Sequence, residues 1–199
     1  MKTKSKTAEY YEKNAERWAS QKTNSFFHEK QFHIFSNLLK KGDTVIDIGC
    51  AYGIHVPLFL GIGRKLKYKG FDVSKNMIKL AKSRYPHVDF KVGDVLTYKT
   101  SKKSDAFWAA GVLMHIPKEN WATLFKNIER NVKRGSLGYV TFPSERPNPP
   151  SEKDQRHFEV ATKNEFKKVL SNHGWEVLKS GYLGHTATSS WNWFIVRLP

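Results

Sequence analysis

Residues Thr44-Val45-Ile46-Asp47-Ile48-Gly49-Cys50-Ala51-Tyr52-Gly53 restrict the fold most strongly, because a β-branched apolar strand breaks there into a turn of small residues. Open α/β sheets form a ligand crevice at such a turn. Glycine and alanine let a ligand approach the backbone, and the helix that follows turns its free N–H groups toward an anionic group. A second apolar strand ends about 20 residues on in Tyr68-Lys69-Gly70-Phe71-Asp72-Val73-Ser74. Asp72 is placed there to accept from both hydroxyls of a ribose. A third strand, Val88 to Val95, carries a further strand-end carboxylate, Asp94.

The spacing separates nucleotide classes. A dinucleotide turn reads G-x-G-x-x-G, whereas here the small residues fall at Gly49, Ala51 and Gly53 behind Asp47, without the third glycine. Together, this turn, the G-x-D-x-S strand end and the G-D-V strand end resemble the class I S-adenosylmethionine-dependent methyltransferases, from about Tyr10 to the C-terminus. Ala51 departs from the family's middle glycine. Its methyl group should pack more tightly against the methionine moiety without abolishing binding.

The resemblance implies S-adenosyl-L-methionine as cofactor and S-adenosyl-L-homocysteine as product. It assigns Asp47 and the backbone of Gly49, Ala51 and Gly53 to the methionine end and Asp72 to the ribose. Val73 and Met77 would flank the adenine, Asp94 and the Val95 N–H would read its edge, and Ala110 would close the pocket at the end of the fourth strand. His115 follows that strand and is the candidate catalytic side chain near the transferred methyl, with an ordinary pKa suited to accepting a proton. His157 and His185 are loop candidates for acceptor contact. Tyr10, Tyr11, Trp18, Phe26 and Phe27 could form an aromatic lid. Asn148-Pro149-Pro150 lacks a following aromatic and reads as a turn.

A chain of 199 residues fits one domain, here a helical lid over 1–41 and a Rossmann-like core over 42–199. It contains no apolar run of about 18 residues, and polar sequence follows Met1 to Lys6 where a secretory signal would need an apolar core. A cytoplasmic protein without membrane insertion is expected, as a monomer or weak dimer. The single cysteine, Cys50, rules out an intrachain disulfide or a cysteine metal cluster, and no metal is expected.

The net charge of +16 invites a nucleic-acid reading. However, the clusters Lys40-Lys41, Arg64 to Lys69, Lys99 to Lys103 and Lys133-Arg134 each precede a predicted strand, and so belong to the edge of a parallel sheet opposite its ligand crevice. Lysines outnumber arginines 26 to 8, and lysine is the less specific phosphate reader. A small-molecule acceptor methylated on N, O or S is therefore preferred. An RNA methyltransferase and a noncatalytic S-adenosylmethionine-binding module are the alternatives.

The remaining pattern predicts two N-terminal helices, one through Tyr11, Ala15 and Trp18 and one with an apolar stripe of Phe27, Phe32, Phe35, Leu38 and Leu39, and then strands alternating with helices. Strand five is predicted over Leu137 to Phe142. Thr162 and Glu165 form a capping box, and Trp175 to Tyr182 and Trp191 to Leu198 read as a closing strand pair. This implies a seven-stranded, mostly parallel α/β sheet flanked by helices, to which the resemblance adds an antiparallel last strand.

Overall fold

The computed structural model describes residues 5–21, 28–61, 65–146, 154–186 and 189–199, the side chains of 184–190 excepted. Seven strands form one sheet in the order β3-β2-β1-β4-β5-β7-β6. They are β1 (Thr44–Ile48), β2 (Lys67–Asp72), β3 (Asp89–Val92), β4 (Ser104–Ala109), β5 (Val132–Pro143), β6 (Glu176–Thr186) and β7 (Ser189–Arg197). Neighbours from β3 to β5 pair in parallel, and β7 runs antiparallel to both β5 and β6. The sheet is the predicted one. Its order reverses between β1 and β4, which puts the topological switch point at the carboxyl end of β1.

Period-two alternation loads both faces. Ile46, Ile48, Phe107, Val140 and Phe142 pack against α6 (Trp121–Asn131) and α7 (Lys163–Asn172). The alternate positions Val45, Tyr68, Trp108 and Tyr139 face α3 (Glu29–Ser36), α4 (Val56–Gly61) and α5 (Lys75–Arg84). Trp108 and Tyr139 stack there with ring centroids 3.9 Å apart. At the opening of α7 the capping box is complete, since Thr162 Oγ1 accepts from the Glu165 N–H and Glu165 Oε2 accepts from the Thr162 N–H.

The structure corrects three element boundaries. The first predicted helix is two, α1 (Lys6–Lys13) and α2 (Ala15–Ser20), because Asn14 leaves the helical region at φ −107° and its Nδ2 donates to Tyr10 O at 2.8 Å. Strand β5 begins at Val132, where it pairs with Ser104 before an irregularity resets the register to Ala106↔Leu137. Strands β6 and β7 extend into the stretch predicted as their connecting loop, with Thr186 paired to Ser189, and His185 belongs to β6.

Helices α1 and α2 lie along α5. Glu12 Oε2 accepts from Ser74 Oγ at 2.6 Å and from the Asn76 N–H at 3.2 Å, and Asn76 Nδ2 donates to Glu12 O at 3.0 Å. Further along, Arg84 Nη2 donates to Ala19 O at 2.8 Å. Ala15, Tyr52 and Met77 bury one another in the seam, flanked by Tyr11 and Trp18. Among the described residues, no helix is long and apolar enough to cross a membrane.

Candidate active site

The strand ends at the switch point are tied to one another before any ligand is considered. Both the Gly49 and Cys50 N–H groups donate to Phe71 O, at 2.8 and 3.0 Å, and the Gly93 N–H donates to Asp72 O at 2.9 Å. The turn after β1 is therefore fixed to the end of β2, and β2 to the end of β3. Glycine is required at two of these crossings. A Cβ on Gly49 would come within 2.3 Å of Val112 Cγ2, and one on Gly70 would come within 2.8 Å of Cys50 Cβ. The backbone is left-handed at Gly49, Ala51 and Gly53, with φ of 69°, 48° and 81°.

Above these strand ends lies a cavity of about 700 Å³. Of the candidate residues, Gly49, Ala51, Asp72, Val73, Met77, Asp94, Val95, Ala110 and His115 all line it. Asp47 and Gly53 do not. Asp47 alternates onto the face that carries Val45 and is completely buried there, where its Oδ2 accepts from Tyr68 Oη at 2.6 Å and from His55 Nδ1 at 3.2 Å. It braces the turn from below, against His55, which is itself at the cavity wall.

Asp72 is nearly as buried, but its carboxylate faces the cavity. Burial raises its pKa to about 6, while the Ser74 and Ala51 N–H groups, each 2.9 Å from one oxygen, favour the ionised form. Each oxygen keeps a lone pair for a further donor. Asp94 is exposed at the rim, and its Oδ1 accepts from the Leu96 N–H at 2.8 Å. Cys50 is buried, and burial pushes its thiol pKa well above the ordinary range, so it is not a nucleophile.

At the other end of the cavity a polar chain crosses three segments of sequence. Asp154 takes Arg156 in a two-point pair, with Nε to Oδ1 at 2.8 Å and Nη2 to Oδ2 at 2.6 Å. Arg156 Nη1 donates to Tyr11 Oη at 2.9 Å, and Tyr11 Oη lies 3.0 Å from His115 Nε2. His115 Nδ1 is 2.7 Å from His157 O, and a carbonyl can only accept, so Nδ1 carries the proton and Nε2 accepts from the tyrosine. Burial lowers the His115 pKa to about 4, which keeps the ring neutral at physiological pH. The surroundings are aromatic, with the Arg156 guanidinium 4.6 Å from the Tyr10 ring centroid and 5.0 Å from that of Phe158.

Tyr11 and Trp18 of the predicted lid do line the cavity. Phe26, Phe27 and Asn148-Pro149-Pro150 lie outside the described residues, as does the His185 side chain. His157 contributes its carbonyl to the site, while its ring turns away to Glu159, 3.0 Å off. Sequence reasoning passed over Arg156, Phe158 and Trp191, all of which line the cavity. The nearest signal was local, the spacing of Asp154 and Arg156 two residues apart in a loop of mixed charge.

Residues 45–135 match a family profile described as a methyltransferase domain. That segment, just under half of the chain, is similar to the methyltransferase-domain family. The chain is 36% identical over 97 residues to a putative methyltransferase 235L of Invertebrate iridescent virus 6, a match covering 49% of this chain and 36% of that one. It is 26% identical over 111 residues to a trans-aconitate 2-methyltransferase of Rhizobium rhizogenes, covering 56% and 43%. The chain thus matches less than half the length of either relative. Its fold resembles that of the 1,6-didemethyltoxoflavin-N1-methyltransferase of Burkholderia thailandensis, solved with its acceptor and S-adenosylhomocysteine, at a TM-score of 0.78 and 15% identity over 96% of this chain and 86% of that one. The magnesium protoporphyrin IX methyltransferase of Synechocystis PCC 6803, solved with S-adenosylhomocysteine, gives a TM-score of 0.72 at 15% identity, covering 96% and 97%. At 15% identity the likeness to either structure is one of fold alone.

Proposed function

We propose that this protein transfers a methyl group from S-adenosyl-L-methionine to an N, O or S atom of a small molecule. The observation that carries the reading is a single cavity with the buried Asp72 carboxylate at one end and an aromatic chamber roofed by α1, α2 and residues 154–158 at the other. The residues at the first end fit the cofactor. Asp72 has an open lone pair on each oxygen for the ribose hydroxyls, Val73 and Met77 offer apolar flanks for an adenine, and the Asp94–Val95 turn lies at its edge. The Gly49–Ala51 backbone, where Gly49 has no room for a Cβ, offers the close approach the methionine end needs. When bound, the sulfonium supplies the methyl group and its own leaving group.

What remains for the chain is to position the acceptor and exclude water, which together account for most of the rate in such a displacement. The acceptor end meets that requirement with Tyr11, Phe158 and Trp191 as walls. His115 is the proposed acceptor-side base, acting through Nε2 once an acceptor hydroxyl, amine or thiol takes the place of Tyr11 Oη. The neutral tautomer held by His157 O leaves that lone pair available. A pKa of about 4 makes it a weak base, suited to orienting an acceptor that loses its proton readily.

Methyl-labelled S-adenosylmethionine offered with a metabolite extract and, separately, with total tRNA tests the reading. Label is expected in the low-molecular-weight fraction. Label in tRNA alone would make the acceptor RNA, and cofactor binding with label in neither fraction would make the protein a noncatalytic binding module.

A further inference from the structure

Between them, the cavity and its polar chain use little of the protein's charge, and the unused part has a definite place. In sheet order, Lys65 and Lys67 lead into β2 and Lys40 and Lys41 into β1. Lys102 and Lys103 lead into β4, and Lys133 and Arg134 open β5. All eight are exposed. Their segments are joined laterally: the Lys67 N–H donates to Asp43 O at 2.9 Å, the Thr44 N–H to Asp105 Oδ2 at 2.8 Å, and Lys69 Nζ to Lys102 O at 2.7 Å. Four adjacent strands at about 4.8 Å spacing make this a continuous row about 15 Å long.

The acids at this edge neutralise little of the row, with Lys133 alone among the eight held in a side-chain ion pair with a described residue. Asp43 Oδ2 accepts from the Lys40 N–H at 2.8 Å, and Asp105 divides itself between the Thr44 N–H and Lys133 Nζ. Glu176, where β6 begins, pairs with Arg197, and Asp89, where β3 begins, pairs with Lys91. At the opposite edge stand Asp72, Asp94, Asp154 and Glu12, around the cavity and the helices above it. The uncompensated lysines are therefore concentrated at the edge away from the cavity.

We infer that this basic edge is a docking surface for the phosphate backbone of a nucleic acid, separate from the cavity. A row of this length matches about four base steps of one strand, each carrying a phosphate. Lysine ammonium groups on strand-leading turns supply charge without the planar fork that reads base edges, so contact is to the backbone whatever the sequence. A bilayer fits less well. Gly42, Ser101 and Gly135 flank the lysines, and among the described residues the segments that return to this edge expose only Leu38 and Leu60 as large apolar side chains, too little to insert into a lipid interface.

The test is fluorescence anisotropy with a labelled RNA of about 20 nucleotides, titrated from about 50 to 200 mM salt, with phosphatidylcholine–phosphatidylserine vesicles as the second probe. Wild type is expected to bind the RNA, with log affinity falling linearly in log salt. Each phosphate neutralised on a single strand adds about 0.7 to that slope, so replacing Lys65, Lys67, Lys102 and Lys103 with Gln should reduce it by about 3 and weaken binding at low salt by more than about tenfold. S-adenosylhomocysteine titrated into the same samples should give unchanged affinity with and without RNA, which separates this surface from the cavity reading. No RNA binding at low salt, an unchanged slope in the quadruple variant, competition with S-adenosylhomocysteine, or vesicle binding in place of RNA binding would each overturn the inference. Lys40→Gln with Lys41→Gln, expected to reduce the slope by about 1.4, serves as the second variant if the quadruple one misfolds.

Discussion

Ala51 holds a left-handed backbone at φ 48° on the turn after β1, a conformation that costs a residue with a Cβ about 1 kcal/mol. Its N–H, donated to Asp72 Oδ2 at 2.9 Å, keeps it there. Ala51→Gly should therefore raise stability by up to about 1 kcal/mol in denaturant unfolding, even though glycine normally loosens a chain. Asp72 itself is predicted to make cofactor binding pH dependent. A ribose hydroxyl donates to the carboxylate, so the deprotonated form binds, and affinity that is full well above the pKa of about 6 is lost as pH falls through it. Calorimetry with S-adenosylhomocysteine should show binding about tenfold weaker at pH 5 than at pH 7.5, where an ordinary aspartate would show almost no change. Asp72→Asn should cost tenfold to a hundredfold in affinity, about 1.5–3 kcal/mol for a charge-assisted contact, and should lower the melting temperature, because the amide accepts through one oxygen only and leaves the Ala51 or Ser74 N–H facing a second donor. Residues of this kind were legible in sequence because a strand end fixes where they point. Asp47 was read onto the cavity and is not there: it sits one residue short of the strand's end and alternates to the α3–α4 face. Arg156 was not legible, since its role comes from Tyr11, 145 positions away in sequence.

Among the elements, the first four strands and the helices α5 and α7 followed from apolar period and caps, because their local and tertiary preferences agree. The break at Asn14 did not, since the spacing of Tyr11, Ala15 and Trp18 is continuous across it and the turn is made by a side chain bonding back to Tyr10 O. Nor did the length of β6 and β7, where the polar stretch read as a loop is paired through Thr186↔Ser189 by the register of its neighbours. That break lets α1 and α2 follow α5, and the Glu12–Ser74–Asn76 contacts hold them over the cavity. Glu12→Ala should loosen this roof without opening the core. The expected result is S-adenosylhomocysteine affinity lower by about threefold to tenfold by calorimetry, with a melting temperature lower by only a few degrees, since the contacts are half-buried and Asn76 Nδ2 still reaches the backbone carbonyl of residue 12.

For the whole molecule, the parallel sheet assigns different work to its two edges. Carboxyl ends gather the glycine turn, Asp72 and the aromatic chamber, and amino ends gather the lysines. The central claim is that the crevice at the carboxyl ends is built for S-adenosylmethionine. A ligand that binds only the native state raises its stability by mass action, so the most direct measurement is thermal unfolding with S-adenosylhomocysteine, with NADH in parallel and Asp72→Ala as the control protein. The account predicts a rise of several degrees with S-adenosylhomocysteine at about 100 times its dissociation constant, corresponding to roughly 2.7 kcal/mol, a rise of at most about half that in the folded Asp72→Ala variant at the same concentration, and no rise with NADH in either protein. Equal stabilisation by NADH, or none by S-adenosylhomocysteine in the wild-type protein, would contradict it.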